Sequence, residues 1–212
     1  MAALSVTQQL LVEGKNDQHV IWALCQKYQI PETFSVKRPE DLEGGIDELL
    51  ESIPVRLKQS QLQALGIIVD ADQNLQSRWT AVCQRLAQAG YKDLPLQPEH
   101  DGTIIAATGK PRVGIWLMPD NQIPGMLENF VAHLIPDNDL LALKAKATLQ
   151  EIEGDNLHGY SLTHHAKAFI HTWLAWQVIP GQPMGLAITA NVLQYNKPLV
   201  AIFIQWLNRL FL

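Results

Sequence analysis

Apolar spacing along the first 135 residues switches repeatedly between short continuous runs and helical repeats. Residues 9–13 form a short apolar run that ends on Glu13. Residues 16–29 place Val20, Ile21, Leu24 and Cys25 at helical spacing, with Asp17 in the first turn, where the helix dipole favours negative charge. A second strand is predicted over 33–37. Residues 46–57 repeat Ile46, Leu49, Leu50, Ile53 and Leu57 as a helix face that breaks or bends near Pro54. The β-branched run 65–69 ends on Asp70, and 75–89 follows as an amphipathic helix. Strand then helix, three times over, is the pattern of a parallel sheet with crossover helices.

Beyond Gly90 the texture changes. Residues 93–111 are rich in turn formers (Pro95, Pro98, Gly102, Gly109, Pro111), with a short strand expected at 103–106. A strand at 113–118 leads into Pro119 and Asp120, and 125–134 reads as a helix. Asp137, Asn138 or Asp139 can cap the next helix by accepting from its free backbone N–H groups. From about residue 140 the spacing is helical, with a Gly/Pro break at 179–185 and a terminal helix over 198–212. The expected fold class is α/β, with a parallel-sheet core over 1–135 and a helical C-terminal part over 136–212.

Composition narrows the choice of function. With 47% hydrophobic and 17% charged residues the chain is an ordinary globular protein. A net charge of -5 argues against coating nucleic acid by bulk charge, which requires Lys and Arg to neutralise phosphates. It leaves room for an acidic site that reaches phosphates through bound cations. Cys25 and Cys83 lack metal-ligand spacing and read as small buried hydrophobes. Residues 1–7 show no basic-then-apolar leader, and 198–212 is too short to span a bilayer and is interrupted by Gln205, Asn208 and Arg209. A cytoplasmic protein without a membrane partner is the expectation. Trp116, Trp173, Trp176 and Trp206 are expected as core anchors, and the acidic stretch 39–51 as a solvated helix start. His164 and His171 lie seven apart, able to share a helix face, but without the closer spacing of a zinc site.

The chemistry concentrates in carboxylates. Three predicted strands run into Glu13, Asp70 and, through Pro119, Asp120. In open parallel sheets the strand C-termini line the crevice where ligands bind, so residues far apart in sequence meet there. Asp70 and Asp72 sit two apart, which in extended backbone puts both on one side. Asp17 follows Glu13 across a turn that Gly14 allows to be tight. Gathered carboxylates repel one another unless a cation sits among them, and hard cations such as Mg²⁺ choose oxygen donors.

Two segments carry a resemblance. Leu10-Leu11-Val12-Glu13-Gly14-Lys15-Asn16-Asp17 resembles the first Toprim motif, an apolar strand followed by Glu-Gly and a nearby Asp. Ile67-Ile68-Val69-Asp70-Ala71-Asp72 resembles the second, a strand ending in Asp-x-Asp. The spacing is most similar to the OLD-family (overcoming lysogenization defect) nucleases and related stand-alone Toprim-like proteins. Residues 114–120 and 125–128 are similar to a third region of the stand-alone proteins. The resemblance implies a Toprim-like Rossmannoid sheet holding Mg²⁺ or Mn²⁺ and a nuclease that hydrolyses DNA or RNA phosphodiesters. Glu13, Asp17, Asp70 and Asp72 would be ligands, with Asp120 and Glu128 completing the set. Glu13 is open to two roles, ligand or general base; Asp70 and Asp72 would be catalytic, and Lys167 would be a transition-state cation. Nucleic acid would be bound through metal-bridged phosphates.

The departures bear on partners. Residues 107–111 are no phosphate-binding P-loop, because the first glycine and the Ser or Thr after Lys110 are missing. An ATPase, which full OLD proteins carry, would have to be a separate partner; a second copy of the chain is the other protein partner to consider. A non-catalytic Toprim-fold regulator of such an ATPase is the alternative to an enzyme.

Overall fold

A computed structural model describes residues 7–38 and 45–212. The start of the acidic stretch 39–51, and all but Thr7 of the N-terminal residues read for a leader, lie outside the described residues.

Among the described residues the sheet has five strands, β1 (Gln8–Leu11), β2 (Ser35–Lys37), β3 (Ala64–Asp70), β4 (Thr103–Ile105) and β5 (Arg112–Met118), in the order β2-β1-β3-β5-β4. β1 pairs in parallel with β2 and β3, and β3 in parallel with β5. β4 alone is antiparallel, against β5. The loop 106–111 is too short for the crossover that a parallel neighbour would need.

The described residues also form eight α-helices: α1 (Lys15–Lys27), α2 (Gly45–Arg56), α3 (Leu75–Gln88), α4 (Leu127–Ala132), α5 (Leu140–Gly154), α6 (His165–Ala175), α7 (Met184–Thr189) and α8 (Pro198–Phe211). Side chains alternate across the sheet with period two. Leu11, Leu65, Ile67, Val69, Val113, Ile115 and Leu117 pack with Leu49, Leu50 and Ile53 of α2 and Trp79, Val82 and Leu86 of α3. Leu10, Val12, Ile68, Trp116 and Met118 face the other way, into a larger cluster with α1 and α4 to α8. Burial on both faces explains why β3 and β5 read as continuous apolar runs.

The C-terminal part shares that larger cluster with the sheet. α8 lies across the sheet where Gly66 and Gly114 stand side by side in register. A Cβ on Gly114 would come within 2.4 Å of Leu210 Cδ2, and one on Gly66 within 3.0 Å of Phe211 Cζ. Glycine is needed there for close approach. Asp139 caps α5, accepting from Ala142 N at 2.6 Å and from Trp173 Nε1 at 3.0 Å.

Local details depart from expectation. α2 runs through Pro54, which falls in its last turn, where few backbone bonds are lost. Trp116, Trp173 and Trp206 are buried, but Trp176, just past the end of α6, is 41% exposed. His164 ends a 3-10 turn (Leu162–His164) ahead of α6, so it does not share a helix with His171. Both cysteines are free and half-buried. Among the described residues no helix is long and apolar enough to cross a membrane.

Candidate functional site

After β1 the chain moves outward to β2, then returns across β1 to β3, so the order reverses between β1 and β3. Helix connections splay apart at such a switch point and leave a crevice at the strand C-termini. Glu13 stands two residues past β1 and Asp70 is the last residue of β3. Glu13 Oε1 accepts from the Asp70 N–H at 2.7 Å, tying the two strand ends together. Asp17, in the first turn of α1, reaches back to accept from Gly14 N at 3.1 Å. Asp70 Oδ1 accepts from Leu127 N at 2.9 Å, at the start of α4, and this draws the adjacent Glu128 toward the strand ends.

Glu13, Asp17, Asp70, Asp72 and Glu128 all line one cleft of about 370 Å³, together with Lys15, Asn16, His164 and Lys167. Lys167 comes from α6, nearly a hundred residues beyond β3. Its Nζ stands 3.9 Å from Glu128 Oε1.

Burial makes this cluster electrostatically costly. It pushes the Glu13 carboxyl from 4.5 up to about 7; Asp17 and Asp72 add to the rise, while the Asp70 N–H and Arg78 oppose it. Asp17, only 8% exposed, is pushed from 3.8 up to about 6 by burial and then by Glu128, against the Gly14 N–H and Lys167. Asp70 is raised well above its ordinary range by burial and by Glu13, Asp17 and Glu128.

Asp72 is held differently from Asp70. The strand ends at Asp70, Asp72 adopts a left-handed φ of 52°, and its N–H donates to Gly125 O at 2.8 Å. The extended-backbone relation between the two aspartates therefore does not apply. Arg78 joins them instead: Nε donates to the Asp70 carbonyl at 2.8 Å and a terminal nitrogen pairs with the Asp72 carboxylate. Asp120 is not among the residues lining the cleft. Its Oδ1 accepts from Gln122 and Ile123 N at 2.9 and 3.1 Å, closing its own turn.

The donor set suits a hard cation, being all carboxylate oxygen. One oxygen each of Glu13 and Asp70 is engaged by a backbone N–H, and the second has no hydrogen-bond partner among the described residues. As the side chains stand, however, no group of three His, Cys, Asp or Glu among the described residues is placed to hold a metal ion. A cation would have to draw these carboxylates inward.

Arg78 and Lys15 escaped sequence reasoning, and His164, weighed there only as a partner of His171 for a soft metal, instead lines this cleft. Arg78 alone left a trace, a cation in the first turn of α3, where the helix dipole disfavours it. A second cleft, of about 680 Å³, adjoins the first, and Asp72, Met126 and His164 line both.

No curated protein and no solved structure matches the chain. One family model matches residues 7–212, nearly the whole length, and the chain therefore belongs to that family, described as a protein of unknown function (DUF3226).

Proposed function

We propose that this protein is a Toprim-type phosphodiesterase that hydrolyses DNA or RNA with the help of Mg²⁺ or Mn²⁺. One observation carries the reading: Glu13, Asp17, Asp70 and Glu128 converge from three parts of the chain on one cleft at the switch point, with burial raising the pKa of the first three. A fold retains such a cluster at the expense of stability, which makes it a functional candidate. Glu13, Asp17, Asp70 and Glu128 would hold the cation, with Asp72 at the rim. The bound cation would supply Lewis acidity toward a phosphoryl oxygen and lower the pKa of water.

The chain's own groups account for the rest. In its other role, as general base instead of ligand, Glu13 would take a proton from the attacking water on the oxygen that the Asp70 N–H leaves free. Lys167, half exposed at the cleft, offers a point charge to the phosphoryl oxygens as negative charge develops. Arg78 keeps Asp70 and Asp72 in place from behind.

Purified protein incubated with plasmid, linear and single-stranded DNA and with RNA, in Mn²⁺, is expected to cleave at least one of them. Asp70→Asn and Lys167→Ala should each reduce cleavage by about a hundredfold or more. Cleavage that Asp70→Asn leaves intact would overturn the proposal.

A second reading is a non-catalytic partner of a separate ATPase, in which these carboxylates hold no ion. No three donors stand ready for an ion among the described residues, and Arg78 already neutralises Asp72. Calorimetric titration with Mg²⁺ and Mn²⁺ separates the two, since the partner reading expects no binding at millimolar concentration.

A further inference from the structure

The larger cleft is walled on one side by the first turns of α3 and on the other by the segment entering α6, with the start of α4 between them. Its volume, about 680 Å³, lies within the ~300–1,000 Å³ typical of small-molecule sites. Polar atoms there remain uncommitted. Asn74 Oδ1 accepts from Ser77 N at 2.9 Å and Asn129 Oδ1 from Met126 N at 3.0 Å, while the Nδ2 of each has no partner among the described residues.

His165 adds an acceptor with a set orientation. Its Nδ1 lies 2.7 Å from Glu153 Oε1, which also accepts from Tyr160 OH at 2.7 Å. These two hydrogen bonds hold the Glu153 carboxyl below its ordinary range, so it is ionised and only accepts. Nδ1 therefore carries the proton, and in the neutral ring Nε2 is left as an acceptor. Two amides with free N–H donors, an imidazole whose neutral form offers Nε2 as an acceptor, and the apolar side chains of Ala81 and Met126 all line this cleft, the kinds of group that contact the edge and face of a nucleobase.

We infer that this cleft receives an unpaired nucleotide next to the phosphodiester held in the carboxylate cleft, so that the substrate is single-stranded nucleic acid or a frayed end. The inference rests on the phosphodiesterase reading and adds the substrate class to it. Charge points the same way. Duplex binding is built largely on phosphate neutralisation, and this chain has 16 Lys and Arg against 21 Asp and Glu. Arg78, the only arginine among the described residues that line the cleft, is committed to Asp70 and Asp72. Base contacts would then have to supply a larger share of the affinity, and a stacked and paired base cannot offer them to a cavity.

The test is fluorescence anisotropy in EDTA with one short labelled strand of mixed sequence, as DNA and as RNA, against the same sequence as a blunt duplex. The single strand is expected to bind at least about tenfold more tightly than the duplex. Ser77→Trp and Thr163→Trp, exposed positions on opposite walls, should each weaken strand binding by about tenfold or more. Equal binding of strand and duplex, binding unaffected by both obstructing variants, or a free mononucleotide that binds as tightly as the strand would each overturn the inference. Calorimetry with Mn²⁺ on the same variants reads the carboxylate cleft by itself. Failure of strand binding with Mn²⁺ binding intact counts against this inference alone. Loss of Mn²⁺ binding with strand binding intact counts against the cation reading.

Discussion

Asp17→Asn should make the metal-free protein more stable, by a margin that opens above pH 3.8 and is complete by about 6. Asp17 is 8% exposed and burial raises its carboxyl from 3.8 to about 6. An acid raised in the folded state binds its proton more tightly there than in the unfolded chain. The stability this confers is complete below pH 3.8 and is lost as pH rises through about 6. At 1.36 kcal/mol per pKa unit, the wild type forfeits about 3 kcal/mol by pH 8. Asparagine keeps the acceptor for Gly14 N, and its amide can donate to the neighbouring carboxylates. Removing the Asp17 charge also relieves Glu13 and Asp70, both of which it raises, so their contributions share the same sign. For a chain of this length about 3 kcal/mol corresponds to roughly 6–12 °C in Tm. Thermal and urea unfolding of both proteins in EDTA, from about pH 3 to pH 8, should show curves that meet at the acid end, separate between pH 3.8 and about 6, and keep a constant separation above it. A variant no more stable than wild type at pH 8, or one whose advantage does not depend on pH, would refute the burial argument. Under the proposed function, Mg²⁺ or Mn²⁺ should then stabilise the wild type at pH 8 more than the variant.

Other expectations follow from packing. Gly114→Val forces a branched side chain into Leu210 and should cost about 1–3 kcal/mol in urea unfolding. Ending the chain at Lys197 removes seven buried side chains of α8, each contributing about 1.5–3 kcal/mol. That is comparable to a whole domain's stability of ~5–15 kcal/mol, and circular dichroism should show no cooperative unfolding transition. Asp139→Ala removes the cap of α5 and orphans the buried Trp173 Nε1, for a loss of about 2–4 kcal/mol that Asp139→Asn largely restores. Asp120→Ala, outside the carboxylate cleft, should cost about 1 kcal/mol in stability and leave Mn²⁺ binding and cleavage as in the wild type.

Most of the fold was legible in the chain because its signals are local. The apolar run before Asp70 and the helical repeat after it need no distant partner to be read, and β3 and α3 fall within a residue or so of their expected bounds. β4 was visible as a strand but not as an antiparallel one, since direction depends on the path of a short loop. Glu13 and Asp70 were legible through strand-end geometry, and Asp17 through its place in the first turn of a helix. Asp120 followed the same rule and yet does not reach the cleft, because its own turn absorbs the carboxylate. The Asp70–Asp72 relation was drawn from an extended chain that in fact stops at Asp70.

By itself the sequence determined the order of strands and helices, the burial of both sheet faces and the carboxylates at the ends of β1 and β3, all consequences of spacing over a few residues. Only the tertiary structure decided that Lys167 stands 3.9 Å from Glu128, that Arg78 joins Asp70 to Asp72, and that Gly66 and Gly114 admit α8 to the sheet. α6 reaches the cleft by packing against α4, and α8 reaches the sheet because bulky apolar side chains must bury against a face left flat by two glycines. The contacts of α6 and α8 join segments tens to well over a hundred residues apart, and no periodicity along the chain records which of them will meet.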